Sequence, residues 1–132
     1  MLKGRCLCGG VRYEYTGTID EISMCHCAQC RQAQGSAFVA VAPIERSKFK
    51  LTQGSELLKS FRSNPIKQRV FCGECGSALY SARDDLPAVI RLRLGSVETP
   101  FECANSYHIF VDDKASWYAL TDDLPKYPGF KP

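Results

Sequence analysis

The 132-residue chain has no apolar run approaching the length needed to cross a bilayer, so no helical membrane span is expected. Its first residues, Met1-Leu2-Lys3-Gly4, run directly into a cysteine pair and contain no apolar core of a secretion signal. A reducing cytoplasm is the expected compartment, with no membrane partner. There is no run of consecutive Lys and Arg, and hence no basic stripe of the kind that tracks a phosphate backbone. Internal repeats, low-complexity tracts and linkers are also missing. Histidine is scarce, with His26 and His108 the only two. What remains is ordinary for a soluble globular chain, at 45% hydrophobic and 23% charged residues. The length suits one domain with a modest core, expected over residues 1–125, with 126–132 as a surface tail rich in proline and glycine.

Cysteine is the one residue type in excess. Seven of the eight cysteines fall into three clusters: Cys6-Leu7-Cys8, Cys25-His26-Cys27-Ala28-Gln29-Cys30 and Cys72-Gly73-Glu74-Cys75. A disulfide framework is the plain alternative. It is opposed by the missing secretion signal, by pairs too close in sequence to bridge each other, and by a length that needs no staples. Zinc takes four thiolate or imidazole ligands in a tetrahedron when its role is structural, and three plus an open position when it is catalytic. Cys6, Cys8, Cys72 and Cys75 supply a closed set that ties the N-terminal hairpin to the middle of the chain. Cys25, Cys27 and Cys30 supply an open one. In extended backbone Cys25 and Cys27 point to one side and His26 to the other, and a helical turn swings Cys30 back toward the pair. His26 is therefore expected to be hydrogen-bonded behind the ligands or exposed.

The charge balance follows from this reading. Seven thiolates contribute seven negative charges and two zinc ions four positive ones, so the formal +3 falls to about zero and nucleic acid loses its support as a partner. A zinc ion held by three thiolates carries a net negative charge. It generates hydroxide poorly and suits a sulfur ligand, whose proton leaves on binding. Chemistry at carbon with a thiol nucleophile is the reaction class that fits. Arg31 is either a counter-charge or carboxylate holder at this site, or a surface arginine. His108 reads first as a satisfied core histidine, and Cys103 as a small buried hydrophobe.

Secondary structure reads as mainly β. Val11, Tyr13 and Tyr15 alternate with Arg12 and Glu14, and Ile90, Leu92 and Leu94 alternate with Arg91 and Arg93. Ser36–Val41 reads as a buried strand stopped by Pro43, Leu57–Phe61 and Ser77–Ser81 as further strands, and Tyr107–Val111 as another. Two stretches suit helix: Ala28–Gln34, stopped by Gly35, and a single turn at Thr121–Leu124. Trp117, Tyr118 and Leu120 form a late apolar patch.

The spaced residues Gly4, Cys6, Cys8-Gly9 and Val11, then Cys25-His26-Cys27 with Cys30-Arg31, then Gly35-Ser36 with Phe38, then Arg69 with Phe71-Cys72 and Cys75-Gly76 resemble the glutathione-dependent formaldehyde-activating enzyme family, a domain shared with the centromere protein V group. The resemblance runs from about residue 3 to about residue 125. It implies an Mss4-like fold of β-hairpins and small antiparallel sheets organised around zinc, with one or two short helical turns. It implies a structural zinc at Cys6, Cys8, Cys72 and Cys75, and a catalytic zinc at Cys25, Cys27 and Cys30. The implied activity is that of a carbon–sulfur lyase joining glutathione to formaldehyde. The chain is a compact version of the domain, so the identity of its thiol is left open. A non-catalytic zinc-binding interaction module and a thiol or metal sensor are the alternatives.

Overall fold

The alternating pattern produces strands that segregate into two sheets. A computed structural model describes residues 1–132. Strand β1 (Leu2–Arg5) pairs antiparallel with β2 (Arg12–Tyr15), whose Tyr13 and Tyr15 are buried while Arg12 is exposed. Strand β5 (Phe49–Gln53) closes the other edge of β2, giving a three-stranded sheet. The second sheet is built from β3 (Ile22–Cys25), β4 (Val39–Glu45), β6 (Leu58–Asn64), β7 (Lys67–Cys72), β8 (Ala78–Arg83), β9 (Val89–Arg93) and β10 (Ser106–Ile109). Its seven strands run in the order β10-β3-β4-β9-β8-β7-β6.

The fold is mainly β with one short α-helix, as the sequence implies. Two details differ from expectation. The larger sheet is wider than a small sheet, and its β10–β3 edge is parallel. The main core lies between the sheets, where Val11, Tyr13 and Tyr15 meet Ile44, Leu79, Ile90 and Leu92, all nearly inaccessible to solvent. Each such apolar side chain contributes about 1.5–3 kcal/mol by leaving water. A smaller core joins Cys25, Cys30, Val39, Val41, Tyr107 and Ile109.

Helix α1 (Ala28–Gln34) occupies the expected span. Cys27 caps its N-terminus, and Gly35 at φ +62° ends it in the left-handed region. Other expectations need correction. Pro43 does not stop its strand, since β4 runs to Glu45. Pairing with β3 ends at Val41, so beyond that point β4 has only β9 beside it and one edge is open for a residue with no N–H. Thr121–Leu124 is not helical. The Asp122 carboxylate accepts hydrogen bonds from the Leu124 N–H, Lys126 and His108 instead of capping a turn. Strand β10 stops at Ile109 because Phe110 adopts φ +55°, and a 3-10 turn follows at Val111–Asp113. The C-terminal segment lies along β10: the His108 N–H donates to Pro125 O, the Tyr127 N–H to His108 O, and the Phe110 N–H to Gly129 O. No helix is long and apolar enough to cross a membrane.

One glycine holds the loop of the first cysteine pair in place. Gly54 has φ +81°, and a Cβ there would lie 2.1 Å from the carbonyl oxygen of Gly10. Backbone on both sides leaves no cheap relief. Gly54→Ala is expected to cost at least about 2 kcal/mol, from left-handed strain and forced displacement of the 8–10 loop. Denaturant midpoints of the two proteins measure it.

Candidate metal centres and the adjoining cavity

The β1–β2 turn carries Cys6 and Cys8, and the end of β7 with the turn into β8 carries Cys72 and Cys75. Sheet packing brings the two turns together, and all four sulfurs lie within 4.8 Å of one another. Cys6 Sγ is 3.5 Å from Cys8 Sγ, and Cys8 Sγ is 3.9 Å from Cys72 Sγ. A tetrahedral ion with metal–sulfur bonds of about 2.3 Å has sulfur–sulfur edges of about 3.8 Å, so the spacing fits. The environment favours the thiolate at Cys6 and Cys75. The Val11 N–H donates to Cys6 Sγ at 3.2 Å, and Ser77 Oγ lies 3.2 Å from Cys75 Sγ. The hydrogen bond from Ser77, with backbone donors, holds Cys75 down at about 5. Gly76 at φ +79° makes the tight return that lets its N–H donate to Cys72 O. No cysteine is in a disulfide, so the framework alternative has no support in the structure.

The second cluster forms where β3 ends and α1 begins. Cys25 is the last residue of β3, Cys27 caps α1, and Cys30 sits in its first turn. The helical turn brings Cys30 Sγ round, and the three sulfurs lie within 4.8 Å of one another. The Cys30 N–H donates to Cys27 Sγ at 3.4 Å. Among these thiols, hydrogen bonds from Cys25 and Cys27, followed by the charge of Arg69, favour the thiolate at Cys30, while the contact with Cys27 pushes Cys25 upward. Three sulfurs at this spacing make one face of the same tetrahedron.

His26 points away from the sulfurs, as the extended-backbone argument expects, and it is fully buried. Its Nε2 is 2.8 Å from His108 Nδ1, and His108 Nε2 is 2.8 Å from Asp122 Oδ2. The contact with His108 holds the Asp122 carboxyl down at about 2. With His108 neutral, its Nε2–H goes to that carboxylate, its Nδ1 accepts from His26 Nε2–H, and His26 Nδ1 is left as an acceptor. That nitrogen is buried and has no partner. Because the His26 backbone N–H also donates to Ile109 O, the loop between Cys25 and Cys27 is fastened to β10 by both main chain and side chain. His108 is the satisfied core histidine the sequence suggests. Cys103 is not the buried hydrophobe expected; it is partly exposed, with its thiol 3.8 Å from Asn105 O. Tyr118 packs its ring on Phe38 and meets the exposed ring of Trp117 edge-on.

The open cluster forms one wall of a cavity of about 340 Å³. Five cations to which sequence reasoning gave no role also line it: Lys67, Arg69 (named only within the family motif), Arg83, Arg91 and Arg93. Arg31 is not among them; its Nε donates to the His26 carbonyl at 3.4 Å. Arg93, expected on a solvated strand face, is buried, with Nη1 donating to Ser81 Oγ at 3.1 Å. Burial pulls Arg93 down to about 10, which still leaves it cationic at neutral pH. The signal was present as alternating cations, Lys67-Gln68-Arg69 and Arg91-Leu92-Arg93. What sequence lacked was that the outer face of this sheet is roofed by α1. A wider hollow of about 560 Å³ lies against Cys6 and also reaches Arg93, but none of Cys25, Cys27 and Cys30 lines it.

Fold and site together define a small β protein built around two cysteine clusters, each able to hold a metal ion. Residues 1–113 match the model of the glutathione-dependent formaldehyde-activating enzymes, and the chain belongs to that family. Among curated relatives, a Schizosaccharomyces pombe protein described as an uncharacterized lyase is 29% identical over 61% of this chain and 56% of its own. Proteins of Podospora anserina and Emericella nidulans, which carry the family's name provisionally, are 30% and 27% identical over 86% and 87% of this chain. The chain spans about half the length of these relatives, 48% and 55% respectively. A crystal structure of a Rhodobacter sphaeroides protein superposes with a TM-score of 0.62 at 24% identity, over 75% of this chain and 90% of that one. It supports the fold.

Proposed function

We propose that this chain is a zinc-dependent enzyme of the carbon–sulfur lyase type, making or breaking the adduct of a thiol and an aldehyde. The observation that carries the reading is the contrast between the clusters: four sulfurs in one, three beside a cavity in the other. In this reading Cys6, Cys8, Cys72 and Cys75 hold a structural zinc, and Cys25, Cys27 and Cys30 a catalytic one. A zinc ion held by the three sulfurs would favour an incoming thiol as its thiolate. The family name points to glutathione and formaldehyde as the partners. The free thiols suit a reducing cytoplasm, and residues 1–125 act as one domain with 126–132 as its tail.

The protein's own residues account for placement and charge. Arg69 and Arg93 face the cluster and offset its negative charge, and Val39, Val41 and Ile109 give the cavity a dry side. In the addition direction the thiol sulfur bonds to the carbonyl carbon, the π electrons move to oxygen, and the proton lost by the thiol ends on that oxygen. Holding both reactants in one cavity supplies the entropic part of the rate.

Elemental analysis together with exchange spectroscopy of labelled formaldehyde and a thiol tests the proposal. Two zinc ions per chain and accelerated adduct exchange are expected. One zinc per chain, or exchange at the uncatalysed rate, would refute it.

A further inference from the structure

Strand register places the cations of the cavity on one face of the large sheet. Arg69 is paired with Ser81, and Ser81 with Arg91, so two arginines flank one serine in a single row. Lys67 stands directly opposite Arg83, and Arg93 opposite Val41. Like charges opposed across a sheet are destabilising. Of these five groups only Arg83 has a carboxylate partner, Asp85 at 2.7 Å. Lys67, Arg69, Arg91 and Arg93 form no ion pair within 4.0 Å. Arg93 is 4% exposed, and its hydrogen bonds go only to Ser81 Oγ and Arg91 O. A buried cation without a counter-charge is costly.

A dication bound by three thiolates supplies one net negative charge against these four cations, so roughly three positive charges are left unbalanced. No Asp or Glu lines the cavity. Glu21 lies in the adjoining hollow, which Arg91 also lines, and its carboxylate accepts from Tyr107 Oη at 2.8 Å. The cavity therefore offers several cationic partners for anions and no carboxylate for an ammonium group.

We propose that the thiol accepted by this cavity carries two anionic groups and no free ammonium group, its sulfur directed to Cys25, Cys27 and Cys30 and its anions to Lys67, Arg69, Arg91 and Arg93. This rests on the reading of the three-cysteine cluster as a thiol-binding metal centre. It goes beyond that reading by setting glutathione, whose γ-glutamyl ammonium would find no counter-charge among these cations, below a dianionic mercaptan in affinity.

The test is titration of the zinc-loaded full chain with mercaptosuccinate, glutathione and 2-mercaptoethanol. Calorimetry gives affinity, and zinc-edge absorption reports sulfur entering the coordination sphere. Mercaptosuccinate is expected to bind at least about tenfold more tightly than either other thiol, about the worth of one charge-assisted hydrogen bond. Arg91→Gln should lose about that factor for mercaptosuccinate and little for 2-mercaptoethanol, and Lys67→Gln serves as a second variant should the first fold poorly. Affinity for glutathione or 2-mercaptoethanol equal to that for mercaptosuccinate overturns the proposal while the metal reading stands. A zinc edge unmoved by all three thiols overturns the metal reading and the proposal with it.

Discussion

Cys75→Ser is expected to abolish the folded state. The first cluster brings together turns 64 residues apart in sequence, and a zinc ion held by its four sulfurs would link the small sheet to the β7–β8 corner. Structural zinc contributes about 10–16 kcal/mol of apparent binding free energy, and that energy is folding energy because the unfolded chain has no site. A domain of this size has only about 5–15 kcal/mol of net stability. A serine hydroxyl stays protonated at neutral pH and is a poor replacement for a thiolate. Cys75 also shares Ser77 with the Leu7 N–H, which donates to Ser77 Oγ at 2.8 Å, so its loss loosens the first turn as well. Thermal melting and zinc content are the measurements. The expected result is no cooperative transition and loss of bound zinc. A melt within a few degrees of the parent would show that the first cluster is not a structural metal site.

Cys27→Ser is expected to do the reverse, removing activity while leaving the fold. Cys27 is partly exposed, and its local structural task is to cap α1. Serine is among the best N-cap residues, so stability should change by no more than about 1 kcal/mol. The same change removes one of three thiolates from the open cluster. Mutating even the outer partners of metal ligands commonly costs 10- to 100-fold, so loss of a ligand should reduce adduct exchange by at least about a hundredfold. Zinc content should fall from two to about one per chain, with the remaining ion at the first cluster. Equal unfolding of the Cys27 and Cys75 variants would sink the idea of a separate catalytic metal. Retained exchange in the Cys27 variant would sink its role as ligand.

The contrast between these substitutions shows how differently the two clusters depend on context. The first is made by sheet packing, and its members come from distant turns. The second lies almost wholly within one strand-to-helix transition, and it needs only the extended backbone of Cys25–Cys27 followed by one helical turn. That local character is why spacing alone sufficed to place Cys30 with Cys25 and Cys27, and to turn His26 away from them.

Strand periodicity, the bounds of α1, the convergence of Cys25, Cys27 and Cys30, and the family likeness were all set by local pattern, because side-chain direction in strands and helices depends on neighbouring residues only. The partners of His26 were not legible. They depend on the parallel pairing of β10 with β3, a contact between segments 82 residues apart. Nor was the cationic wall. Arg91 and Arg93 alternate like any solvated strand face, and only the roof formed by α1 and the C-terminal segment turns that face into a cavity beside the sulfurs. Tertiary structure decided which polar face was hidden from water, since burial is set by what packs above a strand and leaves no mark on the strand's own alternation.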